Sequence, residues 1–508
     1  MRVADCVEMT IADVQAGFAT GAFTAEQLTE AFLDRIGRFN ERLNAIIFVN
    51  PDARADARAI DARRAAGEAL GPLAGVPVVV KDTMDMVGFP STGGWSLLYS
   101  KTGGVDLMPG TDAPVVARLR AAGAVILGKT NVPILSASGT NANNSWAGPT
   151  LNAHMPDRAP GASTAGTATA VAASMAVLGL AEETGGSIQN PAAAQALVGI
   201  KPTFALVPNA GVMPLASQRD VVGPIARCVR DAALTLDVLA GFTTEDPKTV
   251  AGLGNIPAGG YASLLSDTAL RGKRLGLYGP GWRNQPLSEE TQALYARAQS
   301  ELSARGAELV ADPFAGTGFA DIRKPVSEEY AFDARGLESA PHDMQNYLRR
   351  MGPLAALQSF AAFAEATKAQ GALDPGGVLH YLHLLPGFAE ALANPDAPPP
   401  MPEFVAARAA YRRIFDEVMA QHALDALVFP HARAELPPLH GKELIAETTV
   451  SEINIAGLPG VTMPAGWYAS GAPFCLIFVG RAFEEAKLLA LAHDYEQATK
   501  HRKPPVLA

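Results

Sequence analysis

The segment Ala159–Ala181 contains no charged residue, over a length that would span a bilayer, and this constrains the fold more than any other feature of the chain. Its Gly, Ser, Thr and Ala content makes transfer into lipid weak, and its flanks show no basic asymmetry. A buried place inside a soluble protein is therefore expected. Such a core needs a long apolar chain, and 508 residues with 48% hydrophobic and 18% charged side chains supply one. With 41 Lys+Arg against 51 Asp+Glu there is no broad basic face to release counterions from nucleic acid or to hold anionic lipid. Neither nucleic acid nor membrane is an expected partner. Cys6, Cys228 and Cys475 form neither a disulfide framework nor a zinc spacing. The N-terminus MRVADCVEMT lacks an apolar signal region, so a cytoplasmic setting is expected.

The texture changes along the chain. Residues 1–70 read as a helical layer, in which Thr24 and Gln27 form a capping box before the apolar face of Leu28, Phe32 and Ile36. Across 71–241, β-branched runs (Val76–Val80, Ala124–Leu127) alternate with alanine-rich helices and Gly-rich loops, which predicts an α/β core on a parallel or mixed sheet. Residues 242–425 restart with a strand at Leu275–Tyr278 and continue as helices with long Pro-rich breaks, a region expected to shape a substrate pocket. Residues 426–508 add strands at Ala426–Phe429, Gly460–Met463 and Phe474–Val479 and a helix from Glu484 to about Thr499, completing the same α/β unit.

Common motifs fail on context. Gly123-Ala-Val-Ile-Leu-Gly128-Lys129-Thr130 matches a phosphate loop letter for letter, but Ala124–Leu127 reads as a strand after the helix Val115–Ala122, where an irregular loop is required. There is no GxSxG elbow, no HExxH and no EF-hand loop, so no metal is expected. Eight of the nine histidines lie at or beyond residue 342, which leaves only His154 in the Gly- and Ser-rich half. A serine hydrolase without histidine needs another base, and a lysine destabilised as an ammonium by burial is one choice. Lys81 ends the apolar run from Gly75, and Ser163 and Ser187 each sit in a small-residue loop. Thr184, Gly185, Gly186 and Ser187 can present backbone N–H groups to one point, each such donor being worth ~3–4 kcal/mol of barrier.

These strings, taken in order, resemble the amidase signature family of Ser-Ser-Lys hydrolases: GPLAGVPVVVKDTMDMVG, GAVILGKTN, PGASTAGT, ETGGSIQNPAA, VGIKPT, and then AGLPGVTMPAG with FVGRAFEEAKLL. The resemblance runs from about Gly71 to Gly241, with echoes at Leu43–Gly67 and Asn454–Glu496. It implies the amidase signature fold, a central mixed β-sheet covered on both faces by helices. It also implies a triad, with Ser187 as the nucleophile that forms an acyl-enzyme and Ser163, after a cis peptide bond, as proton relay. Lys81, neutral at the start of the cycle, is the ultimate base. The N–H groups of Thr184 to Ser187 are the implied oxyanion hole, and no cofactor is called for.

The chain departs from the family pattern in places. The usual GGSSGGS is here Gly161-Ala162-Ser163-Thr164-Ala165-Gly166-Thr167. Glu183 and Gln189 replace the usual aspartate and arginine, so an ion pair bracing the nucleophile loop is expected to become a carboxylate-to-amide hydrogen bond. Ile134 stands where a glutamate is common, which points to a less polar substrate. Asp220 reads as a loop brace, and Asn454 is open between brace and site. Trp95, Trp146 and His431 are candidates for lining the substrate pocket. Gly161, Gly166, Gly185 and Gly186 are the glycines the site most needs. The expected reaction is hydrolysis of a small-molecule carboxamide or N-substituted amide. An ester or carbamate hydrolase, one component of a tRNA amidotransferase and a catalytically silent binding protein stay open, as does a homodimer.

Overall fold

The computed structural model of the chain describes residues 6–327, 332–353 and 355–507. Eleven strands form one mixed sheet. In chain order they are β1 (Ile46–Val49), β2 (Pro77–Lys81), β3 (Val125–Thr130), β4 (Leu178–Glu183), β5 (Val198–Lys201) and β6 (Val221–Ala226), followed by β7 (Arg274–Leu277), β8 (Glu308–Val310), β9 (Ala426–Pro430), β10 (Gly460–Trp467) and β11 (Pro473–Val479). Their order across the sheet is β1-β3-β2-β4-β6-β5-β10-β11-β9-β7-β8. Every residue of β2 to β6, β9 and β11 is buried, so side chains pointing to either face are covered and the strands read as continuous apolar runs rather than alternating ones. Exposed residues occur on the two edge strands, β1 and β8.

The six expected strands meet β2, β3, β7, β9, β10 and β11, while β4, β5, β6 and β8 are further strands and β1 adds one inside what reads as a helical layer. Four residues with one buried position give too short a signal for periodicity to register. The capping box of Thr24 and Gln27 opens the helix Ala25–Leu43 as expected, and the helix Glu485–Thr499 closes the fold. The phosphate-loop look-alike Gly123–Thr130 follows the helix Pro114–Ala121 and is mostly β3, whose six residues are all buried, so its amides serve the sheet. The uncharged segment becomes the buried helix Ala165–Ala172 and most of β4. Gly166 lets that helix approach, because a Cβ there would lie 2.3 Å from the Ala45 carbonyl and 2.4 Å from Asn131 N.

β2 is the pivot for the site. It runs parallel to β3 on one side and to β4 on the other, with Val80 opposite Leu180. Lys81 at the end of β2 and the Glu182–Glu183 pair at the end of β4 therefore emerge at the same edge of the sheet.

Candidate active site

Strand alternation sends the two adjacent glutamates of β4 to opposite faces. Glu183 goes to the nucleophile-loop side, where one oxygen accepts the Ile188 N–H (2.8 Å) and the Gln189 N–H (3.0 Å). Its other oxygen accepts the Gln189 side-chain amide and Asn454 Nδ2 (2.7 Å). Gln189 is held in turn by Thr449, whose hydroxyl donates to Gln189 Oε1 at 3.0 Å. The expected carboxylate-to-amide bond is thus formed, and four donors on one carboxylate fix the turn from β4 into the short helix Gln189–Ala194. Asn454 is part of that brace.

Glu182 goes the other way, to Lys81. Lys81 Nζ lies 2.8 Å from Ser163 Oγ, 3.1 Å from the Glu182 carbonyl and 2.6 Å from Glu182 Oε2, in a spot where the lysine side chain is 0% and the glutamate 3% exposed. Ser163 follows a cis peptide bond from Ala162, whose N–H is tied to the Gly139 carbonyl. The added hydroxyls of the serine loop are structural: Thr164 donates to the Glu182 carbonyl, and Thr167 shares a 2.7 Å contact with Thr130.

Ser187 is 5% exposed and sits at the start of the same turn. Its hydroxyl makes no hydrogen bond among the described residues, so the structure brings Lys81 and Ser163 together without forming the Ser163–Ser187 link. The N–H groups of Gly185, Gly186 and Ser187 likewise donate to no acceptor among the described residues. Gly186 has φ +96, and a Cβ there would meet Asn190 Nδ2 at 2.8 Å; Gly161 has φ +71 and would meet the Asn190 carbonyl at 2.5 Å. Gly185 differs, since its nearest neighbour would be Arg219 Nη2 at 3.5 Å, so space does not demand a glycine there.

Behind the loop, Thr184 Oγ1 lies 2.6 Å from Asp220 Oδ1 and 3.2 Å from Glu182 Oε1. Asp220 also accepts the N–H groups of Leu215 and Ala216, a bracing arrangement. Burial first, and then the Glu182 charge, push its carboxyl up to about 7. Arg219 Nε donates to the Thr184 carbonyl, and its Nη1 reaches the Asp333 and Arg335 carbonyls. The sequence singles out neither Glu182 nor Arg219. The one signal for Glu182 is an acidic pair ending an apolar strand, of which only Glu183 stands in a motif.

The three pocket candidates fall in different places. His431 is buried, its Nε2 2.9 Å from Asn190 Oδ1, and burial lowers its ring to about 3, so it is a neutral brace for the asparagine that packs on Gly186. Trp95 is buried edge-on to Phe363 with centroids 6.1 Å apart. Phe363 lines a small apolar cavity of about 50 Å³ with Thr83, Leu135, Ser136, Met213 and Phe388. Trp146 packs at a tilt on Tyr99, with centroids 4.5 Å apart, and donates its indole N–H to Thr92. A cavity of about 470 Å³ is lined by Asp220, Lys248, Asp343, Tyr347 and Arg350, among others, and it adjoins Thr184 through Asp220. Among the described residues no group of three or more His, Cys, Asp or Glu side chains is placed to hold a metal, and no helix is long and apolar enough to cross a membrane.

The structure thus holds a buried lysine hydrogen-bonded to a serine, beside a glycine turn with uncommitted amides, at the edge of a mixed α/β sheet. The chain belongs to the amidase family, whose model matches residues 27–489. It is 32% identical to a glutamyl-tRNA(Gln) amidotransferase subunit of Synechococcus sp. (strain WH7803), over 96% of this chain and 97% of that protein. The corresponding protein of Moorella thermoacetica is 33% identical, with 95% of each chain covered. Among solved structures, the native peptide amidase of Stenotrophomonas maltophilia superposes with a TM-score of 0.83 at 33% identity, covering 98% of this chain and 99% of that one. The fold is the one found in that enzyme.

Proposed function

We propose that the chain hydrolyses a carboxamide or N-substituted amide to a carboxylic acid and ammonia or an amine, through an acyl-enzyme on Ser187. The observation that carries this reading is the 2.8 Å contact between Lys81 Nζ and Ser163 Oγ at full burial, next to a turn whose amides have no other acceptor among the described residues. In the proposed cycle Ser187 attacks the carbonyl carbon as its proton passes to Ser163 and the Ser163 proton passes to Lys81. The N–H groups of the Thr184–Ser187 turn receive the oxyanion. Collapse breaks the C–N bond as the proton returns through Ser163 to the leaving amine, and water then repeats the relay in reverse.

The acyl side of the substrate is proposed to be apolar. The cavity of Leu135, Met213, Phe360 and Phe388 includes Thr83, two residues from Lys81, and Ser136, three residues from Gly139 beside the nucleophile turn. Trp95 backs this cavity through Phe363, in keeping with Ile134 in place of a charged residue. A fluorophosphonate that labels wild-type protein but not Ser187→Ala supports the nucleophile. A panel of amides differing in acyl group and amine, assayed for amine release, tests the reaction.

The amidotransferase relatives favour a second reading, in which the chain is one component of a larger enzyme and draws ammonia from glutamine for a partner protein. Turnover of simple amides by the isolated chain, at rates that partner proteins are not needed to reach, argues for the hydrolase. Activity confined to glutamine in the presence of partners argues for the amidotransferase component.

A further inference from the structure

Lys81 as an ammonium has three N–H donors, and all three are taken, by Ser163 Oγ, the Glu182 carbonyl and Glu182 Oε2. In that state it has no lone pair to receive a proton from Ser163. We infer that Glu182 is a positioning residue for this chemistry, taking up the Lys81 proton so that the base is the Lys81–Glu182 pair rather than the lysine alone. The inference rests on the Ser187 acyl-enzyme reading above.

The far side of the carboxyl group carries the argument. Thr184 Oγ1 lies within hydrogen-bond distance of both Glu182 Oε1 and Asp220 Oδ1, yet a hydroxyl donates one proton. With Lys81 charged and both carboxylates ionised, one of those contacts joins two acceptors. When the Lys81 proton moves to Glu182 and the carboxyl turns its O–H onto Thr184, Thr184 donates to Asp220 and every contact becomes a hydrogen bond. Lys81 then keeps two N–H donors for the Glu182 carbonyl and the carboxyl oxygen, and its lone pair faces the Ser163 O–H. As Ser187 attacks, its proton passes to Ser163, and the Ser163 proton forms the new N–H bond on Lys81. The carbonyl π pair moves to oxygen, and the pair, now Lys81 ammonium with protonated Glu182, carries one positive charge opposite the oxyanion. Departure of the amine reverses these transfers.

The relation of Glu182 to Lys81 has a measurable sign. The carboxylate at 2.6 Å gives the Lys81 proton an acceptor inside the site, so the serine can be activated without a proton leaving for solvent, and an amide at 182 removes that acceptor. The probe is an alkyl fluorophosphonate, and the readout is the second-order labelling rate of wild-type, Glu182→Gln and Glu182→Asp protein from acid to alkaline pH. It needs no known substrate. For Glu182→Gln, in which the Lys81 proton has to leave for solvent, the acid limb of the rate profile is expected to move up by about one pH unit or more. Glu182→Asp, which draws the carboxylate back by one methylene and keeps the charge, is expected to lie between the two, and it decides the question should the Gln variant not fold. An acid limb that coincides with wild type in the folded variants, or moves down as it would if the carboxylate only held the ammonium, overturns the inference. Wild-type protein that is not labelled at Ser187 overturns the acyl-enzyme reading instead, so the two failures are distinct.

Discussion

Two neighbouring parallel strands each end near a fully buried lysine, Lys81 on β2 and Lys129 on β3, and only one of them is placed for chemistry. Lys129 donates to the Pro90 carbonyl at 2.7 Å and to Ser91 at 3.2 Å, with Asp82 at 3.6 Å. Its hydroxyl neighbour, Ser91, is committed to Asp85, and Asp82 is tied to Thr92. Lys129 is therefore a strut that fastens the loop after β2. Lys81 touches a serine that lies beside the nucleophile turn. Burial disfavours the ammonium form of Lys129, and yet that lysine has no route to a nucleophile. What separates the proposed base from a strut is the hydroxyl each one meets and where that hydroxyl leads.

The sharpest way to break this comparison is to remove each group in turn. Ser187→Ala is expected to abolish fluorophosphonate labelling and to cut amide turnover by up to about 10⁶-fold, as for other serine nucleophiles. Lys81→Ala is expected to cut kcat/KM per folded molecule by about 10²–10⁴, the range of general acid–base catalysis. Lys129→Met should do the reverse. It leaves Asp82 buried without its cation and is expected to cost about 3–5 kcal/mol in denaturant unfolding, with the turnover per folded molecule unchanged. A folded Lys129→Met that loses activity as Lys81→Ala does would erase the distinction.

The next contrast is between the two glutamates of β4. Glu183→Ala strips the acceptor from two buried backbone amides and from the side-chain amides of Gln189 and Asn454. At about 1–3 kcal/mol for each orphaned donor, it is expected to lower the unfolding midpoint strongly and to loosen the turn, with kcat falling together with stability. Glu182→Gln should move the pH profile more than the stability, because an amide can still accept from Lys81.

The glycines give a milder pair. Gly161→Ala forces a Cβ to within 2.5 Å of backbone at a positive φ and is expected to cost about 1–3 kcal/mol, with activity falling as the Ser163 loop shifts. Gly185→Ala meets nothing closer than 3.5 Å and should stay within about 0.5 kcal/mol of wild type by thermal unfolding. Equal losses would mean that the turn needs glycine at 185 for a reason other than space.

Much of this is legible in the sequence because the informative residues lie close together along it. The runs that form β2, β3, β9, β10 and β11 are apolar over at least four residues, and Lys81, Ser163, Ser187 and the Glu183–Gln189 brace stand in or beside ordered motifs. What escapes depends on contacts between distant parts of the chain. Arg219 acts through carbonyls at 184, 333 and 335, and His431 reaches the site only through Asn190. The role of Glu182 is set by strand register, which pairs Val80 with Leu180 and so brings a carboxylate to a lysine 101 positions away. The three aromatic and histidine candidates stand out by nearness to motifs. That places them in the right loops but says nothing about which layer of packing they occupy.

The last expected effect, spread over a range of pH, concerns the carboxylate that both halves of the site share. Asp220 is fully buried, and its folded value of about 7 lies above that of an exposed aspartate, about 4. Between those two values the folded chain holds a proton that the unfolded chain has shed. The proton count therefore favours folding at the acid end and does so less as the pH rises. Asp220 is thus expected to make the protein lose stability progressively from about pH 4 to pH 7, by roughly 1–3 kcal/mol, with no further change from this group above the window. His431 has the opposite sign, since a ring lowered to about 3 leaves the folded state binding fewer protons than the unfolded one below about pH 6.5. The test is the difference between wild-type and Asp220→Asn unfolding free energies at several pH values, which cancels His431 and the other groups. The Asn variant should gain relative to wild type as the pH rises through the window. A difference that is flat with pH would show that Thr184 and the two amides hold Asp220 ionised throughout.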